Sequence, residues 1–267
     1  MSDSFRHSGA QSALTSNETD SLPAAVILAG GLGTRLRAAY AAGPKSMAPV
    51  GGRPFLDYLL RWLQSQGVKQ VILCVGYKRT HIQRYVGKGR KWGLRVTYSI
   101  EKELLGTGGA VKKAERLIPG KRLLVINGDT FLDVNLKELV EFHRRREALA
   151  TLAMVNVVDD QRYGSMRVDG KNRITAFLEK GETPASNGLQ GSRPINGGVY
   201  VFEKKLLNAI RAGRPVSLEK KVFPGLVARK QMYGFLRGAY FVDIGVPDDL
   251  RRAQNELPKR FRVQDSR

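Results

Sequence analysis

The most constraining stretch is Ala24-Ala25-Val26-Ile27-Leu28-Ala29-Gly30-Gly31-Leu32-Gly33-Thr34-Arg35. An unbroken apolar run meets three glycines, and a threonine and an arginine follow. A strand that is apolar on both faces and bounded by turn residues belongs inside a parallel sheet covered on both sides. Glycines lack Cβ atoms, so main-chain N–H groups can close on an anion. Arg35 adds a permanent charge and a fork of donors suited to phosphate. Two common glycine-loop patterns fail on spacing. Leu36 stands where a G-x-G-x-x-G frame needs its third glycine, and the loop has no lysine for a Gly-Lys-Ser/Thr phosphate loop. A tight βα turn also accounts for Gly-Gly-x-Gly taken alone.

Strand and helix patterns alternate behind this loop. Residues 35–53 read as a loop in which Lys45 is held among prolines and glycines. Leu56, Leu59, Leu60 and Leu63 recur at helical spacing, with Pro54 in the first turn and Gly67 at the end. Residues 69–75 read as a buried strand, 80–86 as a helix and 94–100 as a strand. A second glycine turn, Leu105-Gly106-Thr107-Gly108-Gly109-Ala110, opens a helix through about 117. Residues 122–126 form a strand ending in Asn127-Gly128-Asp129, and Asn135 caps the next helix. This alternation over residues 24–150 predicts a doubly wound sheet.

From Ala150 the pattern turns β-rich. Strands are expected at 152–158, 195–202, 232–236 and 240–242, with a hairpin over 166–168 and 174–178. Helices are expected at 204–210, at 218–230 and after Pro247. Residues 181–194 read as a mobile loop. The expected division is a disordered leader at 1–22 and one domain at 23–257, with a charged tail at 258–267. Within the domain the change of pattern separates 23–150 from 151–257.

Composition narrows the partners. Forty-five Lys and Arg oppose 24 Asp and Glu, a formal net charge of +21, so the surface attracts anions. The excess is spread, densest at Arg144-Arg145-Arg146 and Lys88-Gly89-Arg90-Lys91. Aromatics make up 8% of residues and do not interleave with the arginines, so the chain lacks the stacking platform of a single-strand nucleic-acid binder. His7, His81 and His143 are scattered and form no zinc pattern. The one cysteine, Cys74, lies in an apolar run and reads as core. No apolar stretch spans a membrane or serves as a signal peptide, so a cytoplasmic setting is expected.

Asp129 and Asp243 each follow a predicted strand, far apart in sequence. An acidic residue at such a strand end faces the crevice where open α/β sheets bind ligands. It can equally cap the next turn. If both face one crevice, two carboxylates suit Mg²⁺, which is completed by phosphate oxygens and water. With Arg35 and Lys45 beside them, the set suits phosphoryl or nucleotidyl transfer.

Leu28-Ala29-Gly30-Gly31-Leu32-Gly33-Thr34-Arg35, followed by Lys45 before Met47-Ala48-Pro49, resembles the signature of the sugar-1-phosphate nucleotidyltransferases. Leu105-Gly106-Thr107-Gly108-Gly109, Asn127-Gly128-Asp129, Glu179-Lys180, Asn196-Gly197-Gly198 and Asp243-Ile244-Gly245 follow in that family's order, over residues 24–255. The resemblance implies a Rossmann-like mixed sheet of the glycosyltransferase-A kind, with a β-rich sugar-binding part. It implies a Mg²⁺-dependent reaction in which a sugar 1-phosphate attacks the α-phosphorus of a nucleoside triphosphate and pyrophosphate leaves. Leu28, Ala29, Gly30, Gly31, Gly33, Thr34, Glu103 and Gly108 match nucleotide contacts. Arg35 and Lys45 match the catalytic cations. Gly109, Tyr163, Gly164, Glu179, Lys180, Asn196 and Gly197 match sugar-side contacts, and Asp129 and Asp243 the metal carboxylates.

The closest resemblance within the family is to guanylyltransferases acting on manno-heptose or mannose 1-phosphate. A uridylyltransferase for N-acetylmuramate or another hexose 1-phosphate, or a non-catalytic nucleotide- or sugar-phosphate-binding module, are the alternatives. A homo-oligomer is allowed; membrane and nucleic acid are not the expected partners. Two departures stand out. The family has Lys-Pro where this chain has Lys45-Ser46, and Glu-Lys-Pro where it has Glu179-Lys180-Gly181.

Overall fold

Along the first strand Ala25 and Ile27 face one way and Ala24 and Val26 the other, and all four are buried. Two helical layers are therefore required, and the computed structural model supplies them. It describes residues 21–31, 33, 36, 40–157, 164–178 and 193–264. In chain order the first half holds β1 (Ala25–Leu28), β2 (Pro49–Val50), β3 (Arg53–Pro54), α1 (Phe55–Ser65), β4 (Gln70–Val75), α2 (Arg79–Val86), β5 (Arg95–Ile100), α3 (Gly106–Ala114), β6 (Arg122–Asn127), β7 (Thr130–Asp133) and α4 (Leu136–Arg145). The second half holds β8 (Ala150–Val157), β9 (Ser165–Val168), β10 (Ile174–Leu178), β11 (Arg193–Glu203), α5 (Phe223–Ala228), β12 (Met232–Leu236), β13 (Tyr240–Asp243) and α6 (Pro247–Gln264).

Among these residues, nine strands form one mixed sheet. β1 lies between β4 and β6, parallel to both, and β5 extends the parallel part. β11 then runs antiparallel to β6 and β8, while β12 lies parallel to β8. β9 pairs with both β10 and β11, and a bridge from Arg173 to Tyr233 brings the start of β10 against β12. The second half thus curls toward a closed ring, which leaves the β12 edge little exposed. Apolar residues of α1, α2, α4 and α6 cover one face, and those of α3 and α5 the other. The doubly wound, mixed-sheet expectation is borne out.

Local signals explain the boundaries. Gly67, at φ 92°, ends α1: the Gly67 N–H donates to Gln64 O and the Val68 N–H to Leu63 O, so two terminal carbonyls are satisfied. Asn135 Oδ1 accepts from the Lys137 and Glu138 N–H groups at the start of α4. Cys74 is buried and free, as expected.

The structure corrects several expectations. Residues 49–54 form a β2–β3 hairpin inside the stretch read as loop. Residues 204–209 form a 3₁₀ turn rather than an α-helix, and 218–222 a single π turn before α5. The stretch read as a charged tail continues α6 to Gln264, with Leu257 and Phe261 buried. Its charges hid an apolar stripe: Phe261 meets Tyr58 edge-on at 5.1 Å. Gln254 joins the same contact, accepting from the Gly51 N–H and donating to Pro49 O. The leader at 1–20 and most of the 181–194 loop lie outside the described residues.

One buried group couples the fold to pH. His143 on α4 is fully buried, with Nδ1 2.8 Å from Thr151 Oγ1 and Nε2 3.5 Å from Glu203 Oε1. Burial pushes its pKa down to about 4 from the ordinary 6.5, against the upward pull of Glu203. Below pH 6.5 the unfolded chain takes up a proton that the folded chain refuses. This contribution is therefore complete above pH 6.5 and is lost as pH falls toward 4. Thermal unfolding between pH 7 and 4.5 should show a shallower loss of stability for His143→Gln than for the parent; parallel curves would contradict it.

Candidate active site

Parallel pairing sets Leu28 of β1 beside Asn127 of β6, and the Gly128 N–H donates to Leu28 O. The two turns that leave these strands therefore start side by side. Between them lies a cavity of about 200 Å³ lined by Leu28, Ala29, Gly31, Gly33, Leu36, Lys45, Ser46, Gly128, Asp129 and Gly245. Ligands of open α/β sheets bind at such carboxyl ends.

Asp243 reaches this place by a route that periodicity did not reveal. β13 pairs antiparallel with β7, so Asp243 stands opposite Thr130. The Ile244 N–H then donates to Asp129 O. The two aspartates meet through a short ribbon outside the main sheet. β7 had no separate signal because its four residues directly follow the Asn127-Gly128-Asp129 turn.

Lys45 lies between the carboxylates, with Nζ 2.7 Å from Asp129 Oδ2 and 3.5 Å from Asp243 Oδ1. Asp243 Oδ1 also accepts from the Gly245 N–H at 2.7 Å. Burial first, and the Asp129 charge next, push the Asp243 pKa up; Lys45 and the Gly245 N–H pull it back. Ser46 in place of proline does not loosen the lysine. Residues Lys45–Met47 form a 3₁₀ turn in which the Met47 N–H donates to Pro44 O and the Ala48 N–H to Lys45 O.

The other expected residues divide. Leu28, Ala29, Gly31 and Gly33 line the cavity, whereas Gly30 turns toward Glu101. Asn196 and Gly197 lie in a β11 bulge, where the Asn196 side chain donates to the Tyr200 hydroxyl and accepts from the Gly198 N–H. The bulge abuts Asn127 and Thr130, so it flanks the Asp129 turn. Gly164 is exposed next to Leu178. Thr34, Arg35, Tyr163, Glu179 and Lys180 lie outside the described residues.

Three of the expected residues, Glu103, Gly108 and Gly109, lie away from the cavity lining. Glu103 is exposed on a turn, while Glu101, two residues earlier, is 7% exposed and touches the site loop. Glu101 Oε2 accepts from the Leu105 N–H, and Oε1 lies 2.5 Å from where a Gly30 Cβ would stand. Burial pushes its pKa up. Its signal was its place at the end of β5, where Asp129 follows β6 in the same way. Gly108 and Gly109 pack against residues 214–216: both N–H groups donate to Val216 O, and a Cβ on Gly109 would stand 2.6 Å from Arg214 O. Thr107 adds to this seam, donating to Glu219 and accepting from the Leu218 N–H. Among the described residues no group of three or more His, Cys, Asp or Glu could hold a metal, and no helix is long and apolar enough to cross a membrane.

Comparison with known proteins agrees with this geometry. The pattern of the family described as nucleotidyl transferase matches residues 24–260. D-glycero-alpha-D-manno-heptose 1-phosphate guanylyltransferase of Aneurinibacillus thermoaerophilus is 42% identical over 233 residues, 87% of this chain and 97% of that protein. Mannose-1-phosphate guanylyltransferase of Mycobacterium tuberculosis is 38% identical over 87% of this chain and 64% of its own length. The crystal structure of HddC from Yersinia pseudotuberculosis complexed with GMP-PN superposes with a TM-score of 0.76 at 35% identity, covering 88% of this chain and 99% of that one.

The packing role of Gly109 is open to test. Gly109→Ala should cost about 1–3 kcal/mol of stability, the range for overpacking, read by chemical denaturation. A variant of unchanged stability that binds sugar phosphate more weakly would restore the ligand-facing role.

Proposed function

The chain belongs to the nucleotidyl transferase family, and within it we propose that it joins GTP to a manno-configured sugar 1-phosphate, releasing pyrophosphate. The meeting of Lys45 and Asp129 in one glycine-lined cavity, with Asp243 paired to the same lysine, carries the reaction class. The sugar 1-phosphate oxygen bonds to the α-phosphorus as the bond to the β-phosphate oxygen breaks, and pyrophosphate departs with the electron pair. The attacking phosphate monoester is largely a dianion near neutral pH, since its second pKa is about 6, so no general base is required.

Each residue has a task of position or charge. The backbone of Leu28, Ala29, Gly31 and Gly33 borders the phosphates. Lys45 offsets their negative charge, and Arg35 is assigned to the departing pyrophosphate by the family resemblance. Such preorganised charge dominates catalysis of phosphoryl chemistry. Asp129 and Asp243 would hold Mg²⁺. The donor set fits, because two hard oxygen ligands already share one cation. A Cβ on Gly245 would stand 2.8 Å from Asp243 Oδ1 and 3.0 Å from Lys45 Nζ, so glycine there keeps the cradle open. When bound, Mg²⁺ supplies further charge neutralisation at the phosphates. Replacing either aspartate by asparagine should lower kcat about 100-fold or more with the fold retained; normal pyrophosphate release by both variants would sink the assignment.

Glu101 supports guanine. A carboxylate accepts the paired N1–H and N2–H donors on guanine's edge, a pair that adenine and uracil lack. The carboxylate lies against the Gly30 face of the site loop, with one oxygen already fixed by the Leu105 N–H. The Aneurinibacillus and Mycobacterium relatives, both guanylyltransferases by name, differ in sugar; D-glycero-D-manno-heptose 1-phosphate or mannose 1-phosphate is proposed here. The test is a screen of four triphosphates against several sugar 1-phosphates. Glu101→Gln should lower kcat/KM for GTP about 10-fold or more, the scale of a charged hydrogen bond, and leave UTP less affected. Equal losses for both nucleotides would remove Glu101 from base selection.

A further inference from the structure

We infer that Lys45 is a built-in counter-cation that holds the Asp129–Asp243 site against divalent metal until a triphosphate draws the lysine away. The inference rests on the proposed role of these aspartates as metal ligands. It concerns the protein before substrate arrives.

The geometry is that of a site already holding a cation. The Lys45 ammonium is within 4 Å of a carboxylate oxygen of each aspartate, at 2.7 and 3.5 Å. Among the described residues it is the sole cation paired with either. Its side chain is 12% exposed, against 38% for Asp129 and 26% for Asp243, so the ammonium is the most enclosed member. The backbone forces the aspartates together through the β7–β13 pairing and the Ile244-to-Asp129 hydrogen bond. Two like charges held so close favour a positive partner or a shared proton. In the free protein Lys45 is that partner.

A divalent ion entering between the carboxylates must therefore displace an ammonium, and a displaced buried ammonium left without an anion is costly. A triphosphate changes the balance. Lys45 and the glycine loop line the same cavity. Phosphate oxygens there give the lysine a new anion, and the carboxylates are released to the metal. The 3₁₀ turn fixes the Lys45 backbone, so the exchange uses only the flexible four-carbon stem. Nucleotide and metal then bind with positive coupling, each raising the affinity for the other. The lysine is paired before and after the exchange.

The experiment measures Mn²⁺ affinity by electron paramagnetic resonance at pH 8, with no turnover. Free parent protein, parent with a non-hydrolysable GTP analogue, and Lys45→Met in both states are compared. Lys45→Gln covers the case in which the methionine variant fails to fold. The free variant should bind Mn²⁺ about 10-fold or more tightly than the free parent, within the usual range of coupling between sites. The gain produced by the analogue should shrink by a similar factor. Unchanged or weaker Mn²⁺ binding by the folded free variant overturns the inference while leaving the aspartates as ligands. Should the analogue-bound parent bind Mn²⁺ no better than an Asp129→Asn, Asp243→Asn double variant, the metal assignment falls, and this inference with it.

Discussion

Two carboxylates and one ammonium, held together by main-chain hydrogen bonds, organise the functional end of this protein. The Gly128 N–H on Leu28 O fixes where the Asp129 turn begins, and the Ile244 N–H on Asp129 O fixes where Asp243 arrives. Neither bond involves a side chain that could rotate away. The repulsion between the aspartates is thus imposed by the backbone, and Lys45 answers it. The raised pKa of Asp243 reports the same strain: burial and the neighbouring carboxylate act against ionisation. The site thus already holds one cation, Lys45, before any substrate binds. The net charge of +21 adds long-range attraction for phosphate-bearing ligands.

The two glycine motifs do different work. At 30–33 the missing Cβ atoms border the cavity and, at Gly30, admit the Glu101 carboxylate. At 106–109 they let α3 lie against the backbone of residues 214–216. That seam includes a threonine shared between Glu219 and the Leu218 N–H, followed by the π turn at Leu218–Val222. It joins the two halves of the chain. Gly108 and Gly109, expected as ligand contacts, also hold α3 against the second half.

The second half of the sheet is organised around β11. Its first residues pair with β8 and β9, its last with β8 and β6, and the register changes at the Asn196–Tyr200 bulge. A bulge re-aims a strand and its side chains. This one turns the Asn196-Gly197-Gly198 segment toward the Asp129 turn. α6 closes over the β2–β3 hairpin through Gln254 and over Tyr58 of α1 through Phe261.

Much of this was legible in the residues alone. The alternation of apolar runs and 3.6-residue periods specified the doubly wound sheet, because a strand buried on both faces admits few other settings. The ordered motifs placed Lys45, Asp129 and Asp243 in one reaction class, since hard anions and a cation beside a glycine loop have few other uses. Three outcomes were decided only in the folded chain. β7 was too short to carry a period of its own, so the ribbon that delivers Asp243 could not be read. Spacing could not tell Glu101 from Glu103, because burial depends on which loops close over them. The packing of residues 214–216 on the glycines at 108 and 109 had no local signal. A sequence records which groups are available; which of them face one another is settled by long-range backbone pairing, which local pattern does not encode.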